Sequence, residues 1–288
     1  MKKRSIFLII SLSLGIFACG IAAPSVNTSN PQSVGTVVAA TIQAITAAAP
    51  APMATPAPQG ISVSYNNVNF IIPNGLADGA NNSTTTNVEF PYINPSNGDM
   101  PSHISILLNN YSVSNSNIAP QILVFKTTEF AQYGDADQQI VSALQTLHNS
   151  SSTQSLPDGL PGSFSAQIKT IDFANGRGLR YLIQVDQAAL PINNRDLFYY
   201  FIGLTNDGNY FIEALFPTGI SFLSNGDDLT TVPAGGIAFP DTTSNPSPQD
   251  FTDYYQAVSD KLNTTSPDVF NPSLTQLDAL IQSIQINP

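Results

Sequence analysis

The sequence predicts an α+β domain over residues 61–288, with a mostly antiparallel β-sheet flanked by helices. Two observations lead to this fold class. Several runs rich in Ile, Val, Tyr and Phe are separated by short polar turns, which is typical of antiparallel strands. Three other segments place apolar residues three and four positions apart, which is typical of amphipathic helices. The simplest assembly of these elements covers both faces of one sheet with helices, an α/β/α sandwich.

Seven β-strands are predicted from the apolar runs. The last two are joined by Asn206-Asp207-Gly208, and the Asp-Gly step indicates a hairpin because glycine readily takes a positive φ. The run 197–204 is apolar at odd and even positions alike, so both of its faces are expected to be covered. The predicted strands are 61–72 (one strand with a kink), 103–109, 121–126, 164–173, 178–186, 197–205 and 209–217.

Three amphipathic helices are predicted, at 135–149, 249–264 and 272–286. Asp135 and Gln138 resemble a capping box at the start of the first helix. Ser273 is the expected N-cap of the last helix. Each segment carries a single apolar face, so each helix is expected to pack on the sheet.

This order of elements resembles the Mog1/PsbP-like α/β/α sandwich. The likeness lies in "NFIIPNG" near the start, the hairpin "LFYYFIGLTNDGNYFIEALFP" and the closing helix "LTQLDALIQSIQI". It covers about 61–286 at the level of the fold, and a cystatin-like or other α+β sheet is an alternative. The resemblance implies an extracytoplasmic accessory protein that acts by binding rather than catalysis.

The first residues have the pattern of a bacterial signal peptide. Lys2, Lys3 and Arg4 form a basic stretch, and the apolar run 5–18 follows it. That run is too short to span a bilayer as a helix, which takes roughly 20 apolar residues. We therefore expect export from the cytoplasm.

Ile16-Phe17-Ala18-Cys19 resembles the lipobox of bacterial lipoproteins, although Phe17 is bulkier than the usual residue. The resemblance implies cleavage between Ala18 and Cys19, a diacylglycerol on the Cys19 sulfur, and acylation (palmitate) of the new amino terminus. A thiolate is the nucleophile that this transfer requires. The alternative is an ordinary secretory signal with an inert cysteine. Cys19 is the only cysteine, so an intramolecular disulfide is excluded.

The sequence divides into three parts: the signal peptide 1–18, a lipidated tether 19–60 and the globular domain 61–288. Within the tether, 33–49 has weak helical periodicity. The stretch 49–60 is rich in Ala and Pro, which is typical of a semi-rigid spacer. The expected location is the extracytoplasmic face of the cell envelope, with the membrane as a partner through the covalent lipid.

The charge of the chain argues against some partners. Lys2, Lys3 and Arg4 lie in the signal peptide, so six basic residues remain against twenty acidic ones, a net charge of −14. Such an anionic protein is not expected to bind nucleic acid through electrostatic attraction. An unknown protein or small molecule is the expected partner.

Candidate catalytic and metal-binding residues are few. His103 and His148 are the only histidines, and they are predicted to lie at the surface or at an element end. No nucleophile motif accompanies them, and neither a catalytic residue, a metal site nor a cofactor is predicted. The acidic stretches 134–137, 206–209 and 225–228 lack the terminal glutamate of a calcium loop and are interpreted as a helix start and two turns. Paired carboxylates for glycoside hydrolysis remain an alternative.

Three arginines are expected to pair with nearby aspartates. Arg177, Arg180 and Arg195 lie on neighbouring elements, and binding of an anionic group is the alternative. The expected aspartates are Asp172, Asp186 and Asp196.

The long segment 218–250 is predicted to lack regular structure, and such loops are either functional or disordered. It contains Phe222 and Phe239, which mark either a recognition loop or a plug on the core.

Two functional hypotheses follow. The first is a lipid-anchored, non-enzymatic binding or accessory domain. The alternative is a tethered hydrolase that depends on carboxylates, and it requires two carboxylates in one cleft with perturbed environments.

Overall fold

A seven-stranded antiparallel sheet forms the centre of the computed structural model. The structure describes residues 59–86, 100–149 (without 114, 115 and 117), 156, 160, 164–184, 189–228 and 231–288. Within this part of the chain, all residues belong to one unit, Pro56–Pro288. The large sheet has the order β3-β4-β5-β9-β8-β7-β6. Its strands are β3 (Gly79–Thr85), β4 (His103–Asn109), β5 (Gln121–Lys126), β6 (Ala166–Phe173), β7 (Gly176–Gln184), β8 (Leu197–Thr205) and β9 (Tyr210–Pro217).

A second, three-stranded sheet is formed by β1 (Gly60–Tyr65), β2 (Val68–Pro73) and β10 (Gln285–Ile286). The predicted single strand 61–72 is therefore a hairpin. Asn66 takes a positive φ of 51° at its turn, a conformation that asparagine tolerates better than most residues. Val68, Phe70 and Ile72 alternate into the core, so this sheet is buried on one face only.

In the described part of the chain, four α-helices cover the two faces of the large sheet: α1 (Thr127–Ala131), α2 (Asp135–His148), α3 (Pro248–Thr264) and α4 (Leu274–Gln282). Helices α1 and α2 share one hydrophobic cluster with the sheet. Helices α3 and α4 and the small sheet share the cluster on the other face. The predicted α+β class, a mostly antiparallel sheet flanked by helices, is confirmed.

Strand β8 is the centre of both clusters. All nine of its residues are buried, and its side chains alternate between the two faces. Tyr199 and Phe201 belong to the cluster under α3 and α4, whereas Phe198 and Tyr200 belong to the cluster under α1 and α2. The expectation that this run is covered on both faces is confirmed.

Some local details differ from the predictions. The side chain of Asp135 does not cap α2, because Gly134 occupies the N-cap position and makes no side-chain bond. Ser273 does cap α4, since its side chain accepts a hydrogen bond from the backbone of Gln276 at 3.1 Å. Helix α4 ends at Gln282, earlier than predicted, and β10 follows it. The β8–β9 hairpin has Gly208 at a φ of 71°, as its Asp-Gly step predicts.

A buried ion pair connects α4 to the sheet. The guanidinium of Arg180 on β7 donates to both carboxylate oxygens of Asp278, at 3.1 and 3.3 Å. Tyr199 donates its hydroxyl proton to the same carboxylate at 3.0 Å. Nζ of Lys169 also pairs with the Asp278 carboxylate, at 2.8 Å. Arg180 and Asp278 are 1% and 4% exposed, so their charges are stabilised by these protein partners rather than by water.

We expect Asp278→Ala to lower the free energy of unfolding by about 3–5 kcal/mol, because it leaves the Arg180 charge buried without a counter-ion. Asp172→Ala is the matched control. Asp172 pairs with Arg177 at 2.6 Å, but its side chain is 69% exposed. Its loss should therefore cost less than about 1 kcal/mol. Denaturant titration of the full chain measures both values. Equal losses in the two variants would show that the buried pair has no special role.

Candidate functional site

A groove lies at the end of the large sheet where β8 begins and β9 ends. Its volume is about 740 Å³. Three loops form most of it: the one that leads into β8, the first part of the segment after β9, and the turn before α4. Val113, between β4 and β5, also lines it. The described lining residues are Val113, Asn194, Gly219, Ile220, Ser221, Leu223, Ser224, Asn225, Gly226, Asp228, Thr231, Pro233, Val269 and Asn271.

At the floor of this groove, Asn194 connects the loop before β8 to the segment after β9. Its side-chain nitrogen donates to the backbone oxygens of Ile220 and Leu223, both at 3.0 Å. Its side-chain oxygen accepts from the backbone nitrogen of Ile220 at 2.7 Å. Its own backbone nitrogen donates to the oxygen of Ser224 at 2.7 Å. The Asn194 side-chain amide thus both donates to and accepts from the backbone of the segment after β9. These bonds fix the position of that segment relative to the loop before β8.

Asn193, which is fully buried, forms the support behind the floor. Its side-chain oxygen accepts from the backbone nitrogens of Arg195 and Asp196, at 2.9 and 3.2 Å. Its side-chain nitrogen donates to the carboxylate oxygens of Asp196 and Asp227, at 3.1 and 3.3 Å. Arg195 bridges the same two carboxylates, at 2.7 and 2.5 Å. These hydrogen bonds raise the pKa of Arg195 above its ordinary value.

The turn before α4, which forms one side of the groove, is joined to the first part of the segment after β9 by backbone pairing. Gly219 and Asn271 exchange two hydrogen bonds, at 3.0 and 2.9 Å. Thr218, fully buried, donates its hydroxyl proton to the backbone oxygen of Pro272 at 3.0 Å. A Cβ atom at position 219 would lie 3.0 Å from the side-chain oxygen of Asn194, so this close approach favours glycine.

Phe222 and Phe239, the predicted candidates of the long segment, are partly buried against the core. Phe239 packs edge-to-face on Tyr254 of α3, with the ring centroids 4.9 Å apart. Lys261 of α3 lies 4.6 Å above the ring of Phe222 and also donates to the backbone oxygen of Gly235. Neither phenylalanine lines the groove. They fasten the segment to α3, and smaller polar residues of the same segment line the groove.

Several polar groups in the groove are available to a ligand. Within the described part of the chain, the side chains of Ser221 and Asn271 make no hydrogen bond, and the side-chain nitrogen of Asn225 makes none either. Ser221, Asn225 and Asn271 are all exposed. Val269 adds an aliphatic surface at the rim, where it is 59% exposed. The groove thus combines neutral hydrogen-bonding groups with aliphatic contacts.

The two histidines lie away from this groove. His103 begins β4, so it lies at an element end as expected, but it does not lie at the surface. It is 3% exposed and packs on the ring of Phe125, with the centroids 4.7 Å apart. His148 lies in the last turn of α2, and its Nε2 is within 3.2 Å of the backbone oxygens of Arg177 and Leu204. Both histidines therefore contact their immediate structural neighbours.

Of the three acidic stretches, 134–137 starts α2 and 206–209 forms the β8–β9 turn, as predicted, whereas 225–228 is a bend that lines the groove. Asp207 accepts hydrogen bonds from Thr205 and Asn209 within the β8–β9 turn, and these bonds lower its pKa. Among the described residues, no group of three or more His, Cys, Asp or Glu side chains is arranged to hold a metal ion.

Two of the three predicted arginine pairings are present, Arg177 with Asp172 and Arg195 with Asp196. The partner of Arg180 is Asp278, not one of the predicted aspartates. The reason is that α4 packs over β7 and brings a distant carboxylate to the guanidinium.

Two carboxyl groups with raised pKa values lie at α2: Glu213 beneath the helix, and Asp137 within it, in the acidic stretch 134–137. Glu213 on β9 is 1% exposed and accepts a hydrogen bond from the hydroxyl of Tyr200 at 2.5 Å. Its second oxygen has no partner. Burial raises the pKa of Glu213 to about 7, and the charge of Asp137 adds to the rise. Burial also raises the pKa of Asp137, in the first turn of α2. Neither carboxyl group lines the groove.

Comparisons with protein-family models, with curated proteins and with solved structures find no match to this chain. The likeness to the Mog1/PsbP-like sandwich therefore stays a prediction. The signal peptide, Ala18, Cys19 and the tether up to residue 58 lie outside the described residues. A helix of sufficient length and hydrophobicity to cross a membrane is not found in the described part of the chain.

Sequence reasoning missed the residues that build the groove. Asn193 and Asn194 precede Arg195 and Asp196, directly before the largely apolar strand β8. Adjacent asparagines at such a point are a usable signal, because their amides satisfy backbone groups of irregular loops. Asn271 carried no signal of its own, since only the fold brings it to Gly219.

Glu213 predicts a specific pH dependence of stability. A carboxyl group whose pKa is raised in the folded state stabilises that state at low pH, and this contribution disappears as the pH rises from about 4.5 to about 7. The expected loss is about 3 kcal/mol. Glu213→Gln should flatten the curve of unfolding free energy between pH 4 and 8 by this amount. Glu129→Gln, which alters a more exposed carboxyl, is the control. A curve of unchanged slope in Glu213→Gln would refute the assignment.

Proposed function

We propose that this protein is a lipid-anchored extracytoplasmic binding or accessory protein, and that the groove between Asn194, Ser221 and Asn271 is its recognition site. The proposal rests chiefly on one observation: the groove has a fixed frame and presents hydrogen-bonding groups that the protein itself does not use. Such a pocket, with a few convergent polar groups, is the default binding site of a domain. The membrane is contacted through the lipid on Cys19, and no cofactor is invoked.

Binding without catalysis is the function that the composition of the groove supports. Among its described lining residues, Asp228 is the only titratable side chain, and no histidine accompanies it. General acid–base catalysis requires such groups within reach of the reacting atoms.

The alternative, a tethered hydrolase that depends on carboxylates, is favoured by Glu213 and Asp137. Both have raised pKa values, which is typical of catalytic acids. The burial of Glu213 beneath α2 weighs against this alternative, because a general acid must reach a substrate.

The anchor is tested by Cys19→Ser. We expect this variant to incorporate no labelled palmitate and to keep its signal peptide, because serine lacks the thiolate that accepts the diacylglycerol. Ser13→Ala, in the apolar run, should be labelled like the parent. Acyl labelling followed by intact-mass measurement checks both points. Label on Cys19→Ser would contradict the lipoprotein assignment.

The recognition site is tested by photo-crosslinking in cells. A benzophenone amino acid replaces Val269 at the rim of the groove, or Ile61, which is 42% exposed on β1. We expect an adduct from position 269 only. Intact-mass measurement detects small and large ligands alike.

Ser221→Trp provides the blocking variant. Ser221 is exposed and makes no hydrogen bond, so the indole should fill the groove without a loss of stability. It should abolish the adduct at 269, whereas Ser83→Trp, on the exposed strand β3, should not. An adduct at 269 that persists in Ser221→Trp would exclude the groove as the recognition site.

A further inference from the structure

We propose that the groove binds an extended polypeptide segment of a partner protein, with a basic side chain of that segment near Asp228. This inference rests on the proposed function and names the chemistry of the ligand. It follows from the hydrogen-bonding groups, the aliphatic contacts and the charge of the lining residues.

The available groups match a peptide main chain. Asn271 offers an amide nitrogen and an amide oxygen, Asn225 an amide nitrogen, and Ser221 a hydroxyl. A side-chain amide carries a donor and an acceptor side by side, as a peptide group does, so it can pair with the N–H and C=O of an extended chain. Main-chain hydrogen bonds of this kind supply affinity in peptide recognition.

The aliphatic residues provide places for the side chains of such a segment. Val113, Ile220, Leu223, Pro233 and Val269 line the groove together with the polar groups. In an extended chain, successive side chains point to opposite sides, so every second one faces the protein. Apolar side chains of the segment that face the groove would contact these aliphatic residues.

The residue types in the groove disfavour other ligand classes. The described lining residues include no aromatic ring and no Lys or Arg. Rings are the usual platforms for nucleobases, and cations are the usual partners of phosphates. Asp228 gives the groove a negative charge, and the chain without its signal peptide carries −14. A basic segment is therefore attracted and an acidic one repelled.

The frame of the groove lowers the cost of binding. Asn194 and the Gly219–Asn271 pair fix the loops before any ligand arrives. A site that is already ordered loses little conformational entropy on binding. Asn225 and Asn271 are carried by these fixed loops, so their amides are held near their binding positions.

The test is a selection of random dodecapeptides, displayed on phage, against the full chain in detergent micelles. We expect peptides with a Lys or Arg at a recurrent position. For synthetic copies, Asn271→Ala should weaken binding about tenfold, since two hydrogen bonds are lost. Asn206→Ala, an exposed asparagine without a side-chain partner at the far end of the sheet, should bind like the parent. Asp228→Asn should reduce the preference for the basic residue, and N-methylation of the peptide should weaken binding.

Failure of this inference is distinguishable from failure of the proposed function. If no peptide is selected, or if selected peptides bind Asn271→Ala and Ser221→Trp as tightly as the parent, the peptide assignment is wrong. Should the Val269 adduct still depend on Ser221, the groove remains a recognition site for another class of ligand. A glycan array that shows binding abolished by Asn271→Ala would likewise overturn the peptide assignment and keep the site.

Discussion

The two-sided burial of β8 is the constraint on which the rest of the fold depends. Every residue of this strand is buried, so each face of the sheet must be covered by other elements. Helix α2 covers one face, and α3, α4 and the small sheet cover the other. Because those covering elements come from distant parts of the chain, long connections must pass around the ends of the sheet. The segment after β9 is one of these connections, and the groove is formed where it passes.

Polar side chains form hydrogen bonds with the backbone groups of the irregular segment after β9. An irregular segment on a core has backbone groups that no ladder satisfies, and each one left buried and unpaired is costly. Asn193 and Asn194 satisfy many of them at the start of β8, and Phe222 and Phe239 anchor the segment on α3. Because asparagines satisfy the backbone and the phenylalanines pack inward on α3, the outer side of the segment can present Ser221 and Asn225 to a ligand.

The parts of the structure that local pattern determines could be predicted, and those that depend on distant contacts could not. Runs such as 197–204 reveal strands because they are apolar at odd and even positions alike. Strand β3 escaped notice because Gly-Ala-Asn-Asn-Ser-Thr-Thr has almost no apolar side chain and owes its conformation to pairing with β4. The partnership of Arg180 with Asp278 depends on how α4 crosses the sheet, which periodicity cannot reveal. The same holds for the meeting of Gly219 with Asn271, and hence for the groove.

Several ionisable groups of the domain lie in the core and few lie in the groove, and this difference bears on function. The charges of Arg180 and Asp278 neutralise each other inside the core, and Glu213 is buried with one hydrogen-bond donor, Tyr200. These groups alter stability, since their charge states are coupled to folding. In the groove, the ligand would instead meet mainly side-chain amides and a hydroxyl, which do not ionise near neutral pH. Binding at the groove should therefore depend weakly on pH between 6 and 8, even though stability in that range depends on Glu213. The pH dependence of binding and that of stability, measured on one sample, would distinguish recognition at the groove from an indirect effect of Glu213 on stability.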